Sequence, residues 1–486
     1  MNAWAVGHLM GGLLLCVGGA QVLPLLVALG WQDASAPGLA ASVGVILAAG
    51  GVLYMCCRTR RQVTFTLCEA LASVGLCWIA AGCAGALPYW FCGVLNPVDA
   101  LFESVSGFTT TGASVIADVE ALPYGLLLWR SLTQWLGGMG IIVLSLAVLP
   151  HLGIGGMQLY RAEVPGPTPD KLTPRVRDTA KILWVVYGVL TAVLILLLYV
   201  TGMTFFDAVN HGLTTLSTGG FSTRNTSLIN YPAVAQWLII VFMALGGINF
   251  SLHFRALHGD WRAYGQNEEC RAFCWIFVIC TLIVCVILVD RGTVSLHSLA
   301  DLEYLVRTAL FQILSLMTTT GFASADFELW PVGTIPVLLL VMFIGGCAGS
   351  TSGGCKVMRI TILGRMLYRD LFMLLHPRAV RKVVFQEQSL DETAMSGVVG
   401  FFLVYVVLLF ALTFAVMLFD VDLTTAFSSV LTSLSNVGPG FGGVGPVDNF
   451  GWLPDTVKFL LTFAMLLGRL ECYALLILLL PAFWRR

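Results

Sequence analysis

Ser106-Gly-Phe-Thr-Thr-Thr-Gly112-Ala decides how this 486-residue chain is read, because the stretch recurs in altered form. A second version reads Thr215-Leu-Ser-Thr-Gly219-Gly-Phe. A third is Leu316-Met-Thr-Thr-Thr-Gly321-Phe, and a fourth Leu434-Ser-Asn-Val-Gly438-Pro-Gly-Phe. With Gly112, Gly219, Gly321 and Gly438 aligned, the copies lie 107, 102 and 117 positions apart. That spacing is one internal repeat of about a hundred residues. Each copy follows a semi-apolar stretch too short to cross a bilayer, such as Pro97–Phe108 or Phe205–Leu216. Apolar stretches of about 10–14 residues read as re-entrant segments. Irregular backbone at membrane depth is tolerated only where protein buries it or water lines it.

The flanking sequence supplies the membrane. Hydrophobic residues make up 58% of the chain and charged residues 11%, against about 25% charged in soluble proteins. Mean hydropathy is +0.87. We read ten spans, at 4–30, 38–57, 64–87, 125–150, 182–202, 233–254, 272–290, 332–355, 397–419 and 456–484. The first is expected to be retained rather than cleaved as a signal peptide. Basic residues cluster in alternate connections. They are Arg58, Arg60 and Arg61; Arg161, Lys171, Arg175, Arg177 and Lys181; Arg255, Arg262 and Arg271; and Lys356, Arg359, Arg365, Arg369, Arg378, Arg381 and Lys382, with Arg485 and Arg486 at the end. The positive-inside rule places that side, and both termini, in the cytoplasm. The opposite connections carry Asp99, Glu103, Asp118, Glu120, Asp207, Asp326, Glu328, Asp420, Asp422 and Asp448. The expected fold is an all-α polytopic membrane protein with ten transmembrane helices and four re-entrant pore loops in pseudo-fourfold repeats. A two-helix unit over 1–60 precedes repeats at 61–160, 175–265, 270–375 and 395–486.

Four converging loops of Gly, Thr and Ser suit a cation pore. A selective filter replaces an ion's hydration shell with backbone carbonyls. Aiming them inward needs unusual φ/ψ, which glycine adopts without steric cost. The short helix before each loop ends on its negative dipole end, which favours a cation. The candidate filter residues are Thr110, Thr111 and Gly112; Ser217, Thr218 and Gly219; Thr319, Thr320 and Gly321; and Asn436, Val437 and Gly438. They include no Asp or Glu, which argues against an acidic-ring filter and for a large, weakly hydrated monovalent ion, meaning potassium. The bland alternative is that Gly and Thr merely pack membrane helices; four copies in register on one side argue against it.

Within the eighth span lie Gly345, Gly346, Gly349, Ser350, Thr351, Ser352, Gly353 and Gly354. Glycine costs about 1 kcal/mol per residue in a helix interior, so this stretch is expected to unwind just cytoplasmic of the filter. Arg469 stands mid-span, where a charge usually faces a polar interior. It is expected to donate to carbonyls of the unwound loop and to repel a cation there. The alternative is an ion pair with Glu471, but residues two apart on a helix do not face each other.

These features resemble the Trk/Ktr/HKT superfamily of cation transporters, over essentially the whole chain and including the two extra N-terminal spans of the Trk type. The resemblance implies one pore per chain, a homodimer, and a gate formed by the loop and the basic residue at 469. It further implies a separate cytoplasmic nucleotide-binding regulatory subunit of the TrkA type, docking on the basic stretch 356–396. Gly112, in place of a serine that accompanies sodium transport in plant relatives, implies potassium, in a bacterial inner membrane. Asn436 and Val437 depart from Thr-Thr, as the family's own fourth repeat does.

Other readings are weaker. Fourteen cysteines form no CxxC pair and read as small packing residues. Net charge is −1, so nothing points to nucleic acid. Gly438-Pro-Gly440-Phe-Gly442-Gly443 matches G-x-G-x-x-G but lacks the βαβ context a dinucleotide site needs, and Gly349–Lys356 only approaches a P-loop. We therefore expect potassium ion as cargo, no organic cofactor in this chain, and no enzyme activity, since no nucleophile, metal or acid–base cluster is evident. Proton- or sodium-coupled symport on the same frame would need a titratable group on the path, with His211 and Glu471 the candidates.

Overall fold

The computed structural model describes residues 3–58, 67–147 and 172–484. Arg60, Arg61, Arg161, Lys171, Arg485 and Arg486 lie outside the described residues, as do the side chains of Arg175 and Arg177. Most of the described chain is helical. Among the described residues, six helices are long and apolar enough to cross a bilayer: Trp4–Gly30, Ala36–Cys56, Glu69–Phe91, Ala180–Val200, Glu268–Asp290 and Glu392–Met417. Their surfaces expose large apolar side chains such as Leu196, Val286 and Val407, as lipid-facing helices do. Small residues let the first two helices approach closely: a Cβ added at Gly11 would lie 2.5 Å from the Tyr54 backbone nitrogen.

Between the long helices sit four shorter ones, Pro97–Phe108, Phe205–Leu216, Leu299–Met317 and Leu423–Ser435. Each starts the same way. Asn96, Thr204, Ser298 and Asp422 are N-caps whose side chains accept the amides of Asp99, Asp207, Asp301 and Thr425. Such a bond satisfies one of the four donors a helix start leaves open. Asp207 lies in this first turn and also accepts the Thr223 hydroxyl at 2.6 Å. Asp99 accepts Lys458 Nζ at 2.6 Å, which ties the first short helix to the Asp455–Arg469 helix.

Three features differ from the sequence reading. The expected span 233–254 is two helices, Ala233–Gly247 and Phe250–Leu257, bent by 106°. The break frees the Gly246 and Gly247 carbonyls to accept bonds from another segment, and Asn249 caps the second half. The span 456–484 likewise breaks after Arg469 and restarts at Tyr473, with Glu471 and Cys472 at φ 53 and 62. The chain is also not purely helical. Val384–Phe385 and Gln388–Ser389 pair antiparallel around Gln386 and Glu387, both at positive φ, the turn conformation a two-residue hairpin loop demands. Phe385 buries itself against Ile362, Val383 and Val398.

Candidate functional site

The four short helices end on loops built to one pattern. In each, an amide bonds three residues back and the next bonds five back. These are Thr110 to Gly107 and Thr111 to Ser106, then Thr218 to Thr215 and Gly219 to Thr214. The third and fourth loops repeat it with Thr319 to Leu316 and Thr320 to Ser315, and with Asn436 to Ser433 and Val437 to Thr432. The first residue of each trio is left-handed, with φ between 52 and 56 at Thr110, Thr218, Thr319 and Asn436. The third is a left-handed glycine: Gly112, Gly220, Gly321 and Gly438. Backbone that alternates in handedness turns successive carbonyls to one side, as a carbonyl-lined passage requires.

This corrects the register of the second loop. Gly220, not Gly219, occupies the position of Gly112, and Ser217 is the C-cap of its helix, matching Thr109. The Gly-Phe dipeptides at Gly220-Phe221 and Gly321-Phe322 carry that alignment in the sequence.

The loops then close on one another. A Cβ added at Gly112 would collide with the Gly219 carbonyl, one at Gly220 with the Thr320 carbonyl, and one at Gly321 with the Val437 carbonyl. At Gly438 it would meet the Thr111 carbonyl oxygen at 2.7 Å. The four contacts form a closed circuit in repeat order, and all four glycines line a single cavity of about 110 Å³, with Ser222 and Asp448 farther out. Hydroxyl pairs brace loops one and three from behind, Thr109 with Thr111 at 2.7 Å and Thr318 with Thr320 at 2.8 Å. Asn436 Nδ2 crosses from loop four to Thr111 Oγ1 at 3.0 Å.

A buried ion pair that the sequence reading missed anchors this ring. Arg130 Nε donates to Glu103 at 2.8 Å, its Nη1 donates to the Ser222 carbonyl at 3.2 Å, and its guanidinium covers the Phe221 ring at 4.1 Å. Glu103 also accepts the Val115 amide. In the sequence, Glu103 is only one more acidic residue of the outward connections.

Directly beneath the ring lies the unwound segment. The helix Ile335–Ile344 stops at Gly345 and helix resumes at Val357. Gly345, Gly349 and Gly354 are left-handed, at φ 78, 71 and 75. The chain leaves and returns through one neck, where the Cys355, Lys356 and Val357 amides donate to the Phe343, Ile344 and Gly346 carbonyls. Gly353 N donates to Thr319 Oγ1 at 2.8 Å, so the segment touches the third loop. Thr351 Oγ1 donates to the Leu216 carbonyl, the last of the second short helix, and to the Gly246 carbonyl. Cys347 N donates to the Gly247 carbonyl at 2.9 Å. Ser350 and Ser352 bond within the segment, and Gly346 packs on Ser352.

Arg469 reaches this segment from the end of the Asp455–Arg469 helix. It is 2% exposed, and its Nη1 donates to the Thr351 carbonyl at 2.8 Å. Glu471 does not pair with it. The helix break turns Glu471 to Lys356 Nζ at 3.0 Å and Arg359 Nη2 at 2.5 Å. Among the described residues no carboxylate neutralises Arg469. One oxygen of buried Glu269, also missed from sequence, accepts the Ala348 and Met358 amides at 2.8 and 3.0 Å, across the neck. His211 is fully buried between the Asp207 carbonyl and Ser222 Oγ.

Known proteins resemble this chain along its whole length. A family profile described as "TrkH: Cation transport protein" matches residues 39–485. The chain is 40% identical over 498 residues to the Trk system potassium uptake protein TrkH of Halomonas elongata, covering all of both chains. It is 40% identical over 496 residues to TrkH of Escherichia coli (strain K12), again covering both, and 36% over 487 residues to TrkG of that strain, with 99% and 98% covered. The crystal structure of the potassium transporter TrkH from Vibrio parahaemolyticus superposes with a TM-score of 0.90 at 36% identity, over all of both chains. The chain therefore belongs to the TrkH family of cation transport proteins.

Proposed function

We propose that this membrane protein takes up potassium, as its relatives' names describe for them, and that the ion passes through the ring of four loops. The reading rests on one observation above the others: four glycines at positive φ, each against a carbonyl of the next repeat, line one cavity. The filter consists of Thr110–Gly112, Thr218–Gly220, Thr319–Gly321 and Asn436–Gly438, with the carbonyls of Thr111, Gly219, Thr320 and Val437 facing the ion. The short helices direct their negative ends at the space below, which steadies a partly dehydrated cation.

The gate in this reading is Gly345–Gly354 together with Arg469. The loop lies under the filter and fills the exit, and Arg469 both holds it and opposes a cation by charge. The six long helices, the helix Tyr124–Ala147 and the segments broken at Gly247, Gly345 and Arg469 make ten spans arranged as a two-helix unit and four repeats. Both termini lie in the cytoplasm of a bacterial cell, with the protein in its inner membrane. A second copy of the chain completes a homodimer. A cytoplasmic nucleotide-binding subunit of the TrkA type docks on 356–396 and works the gate, in keeping with the multi-part Trk system for which the relatives are named.

Potassium-dependent growth of an uptake-deficient strain tests this, with wild type compared against Gly112→Ser. Wild type restores growth at low potassium, and the variant admits sodium. Equal discrimination by both removes Gly112 from the filter.

A further inference from the structure

Loop two carries a glycine where the other loops carry a side chain. Thr111, Thr320 and Val437 stand at the position of Gly219. In loops one and three that threonine hydroxyl bonds the hydroxyl two residues earlier. Gly219 has no such brace. The space is taken by Gln134, a fully buried residue of the Tyr124–Ala147 helix in the preceding repeat. Its Nε2 donates to the Gly219 carbonyl at 2.7 Å, and its Oε1 accepts the Phe221 amide at 3.0 Å. One amide thus holds the peptides on both sides of Gly220. A Cβ added at Gly219 would run into the Gln134 amide, 2.8 Å from Nε2 and closer still to its carbon. The glycine and the glutamine are two halves of one fitting.

We infer that Gln134 is a positioning residue for ion discrimination, fixing the Gly219 carbonyl from a neighbouring repeat where loops one and three are braced by their own threonine hydroxyls. The inference rests on the proposed filter. Gly219 O is the only one of the four ring carbonyls with a side-chain donor among the described hydrogen bonds. A carbonyl so engaged shares its electron density between Nε2 and the ion, so this position coordinates less strongly than the other three. Discrimination between ions depends on carbonyl number and field strength, and Gln134 sets both direction and strength at one quarter of the ring.

The backbone at Gly219 is not left-handed, so a threonine fits there once the glutamine is withdrawn. That permits a rescue no general packing role predicts. The full-length protein is reconstituted in liposomes, and potassium and sodium uptake are measured for five forms: wild type, Gln134→Met, Gly219→Thr, the double variant Gln134→Ala/Gly219→Thr, and Gly321→Ser. Gln134→Met keeps length and bulk, so folding is retained while both hydrogen bonds go. The potassium-to-sodium ratio is expected to fall at least about tenfold in each single variant. The double variant, in which the introduced threonine hydroxyl takes the brace to Ser217, is expected to return to within about threefold of wild type. A wild-type ratio in Gln134→Met, or a double variant no better than the worse single, overturns the role of Gln134. Gly321→Ser separates the two readings. If it lowers the ratio while Gln134→Met does not, the filter stands and Gln134 is excluded. If Gly321→Ser leaves the ratio intact, the filter itself is misplaced.

Discussion

Replacing Arg469 by alanine removes the one cationic side chain that bonds the segment beneath the ring among the described residues. The bond lost is Nη1 to the Thr351 carbonyl at 2.8 Å. Hydrogen bonds to charged groups contribute about 1.5–3 kcal/mol. The charge itself is the second contribution. Two unit charges about 6 Å apart at an effective dielectric of about 20 repel by about 3 kcal/mol, and no carboxylate among the described residues offsets Arg469, since Glu471 serves Lys356 and Arg359. The segment keeps its bonds to Thr319, Leu216 and Gly247, so it is loosened rather than released. The hydrogen bond alone shifts the closed-to-open ratio by about ten- to a hundredfold, at 1.4 kcal/mol per factor of ten. Rubidium influx into liposomes holding only this chain is therefore expected to rise at least about tenfold in Arg469→Ala, and likewise in Arg469→Met, which keeps the length. Influx at or below wild type in both variants, with protein intact by gel filtration, refutes the reasoning.

Three further outcomes follow from the same geometry. Gly220→Ser is expected to admit sodium as Gly112→Ser does, while Ser217→Ala, at a helix C-cap outside the ring, keeps discrimination in the same flux assay; the reverse result restores the Gly219 register. Arg130→Met strands Glu103 in a buried site, and breaking such a pair costs about 3–5 kcal/mol. Thermal unfolding in detergent should show a lowered midpoint that the double Glu103→Met/Arg130→Met variant partly recovers. Hydrogen bonds centred on Ser298 and Thr425 hold the Asp301 and Asp422 carboxyls below the usual carboxylate range. A lowered folded pKa gives stability that is present above the unfolded value near 4 and is lost as pH falls through the folded one. The unfolding midpoint should drop in that acid window, less steeply in Asp301→Asn/Asp422→Asn.

Much of this was legible in residues. The repeats showed in their Gly and Thr, and the interruption at 345–354 showed in five glycines. What stayed hidden depends on partners far away in sequence. The bend at Gly247 exists because its carbonyl, and that of Gly246, accept bonds from residues about a hundred positions later. Glu269 reads as a helix-start carboxylate until the neck of a distant loop arrives above it. Gln134 sits in an apolar helix with nothing to mark it, because its meaning lies in a missing side chain at Gly219. The one-residue slip in loop two came from Gly-Gly, which offers two choices; the following Phe221 and the φ of Gly220 both select the second.

The central claim is that the carbonyls of Thr111, Gly219, Thr320 and Val437 surround one ion on a common axis. Crystals grown in rubidium, with data collected at its absorption edge, test this directly. An anomalous peak is expected inside the circuit of Gly112, Gly220, Gly321 and Gly438. Peaks confined to other parts of the molecule, with the circuit empty at saturating rubidium, would contradict it.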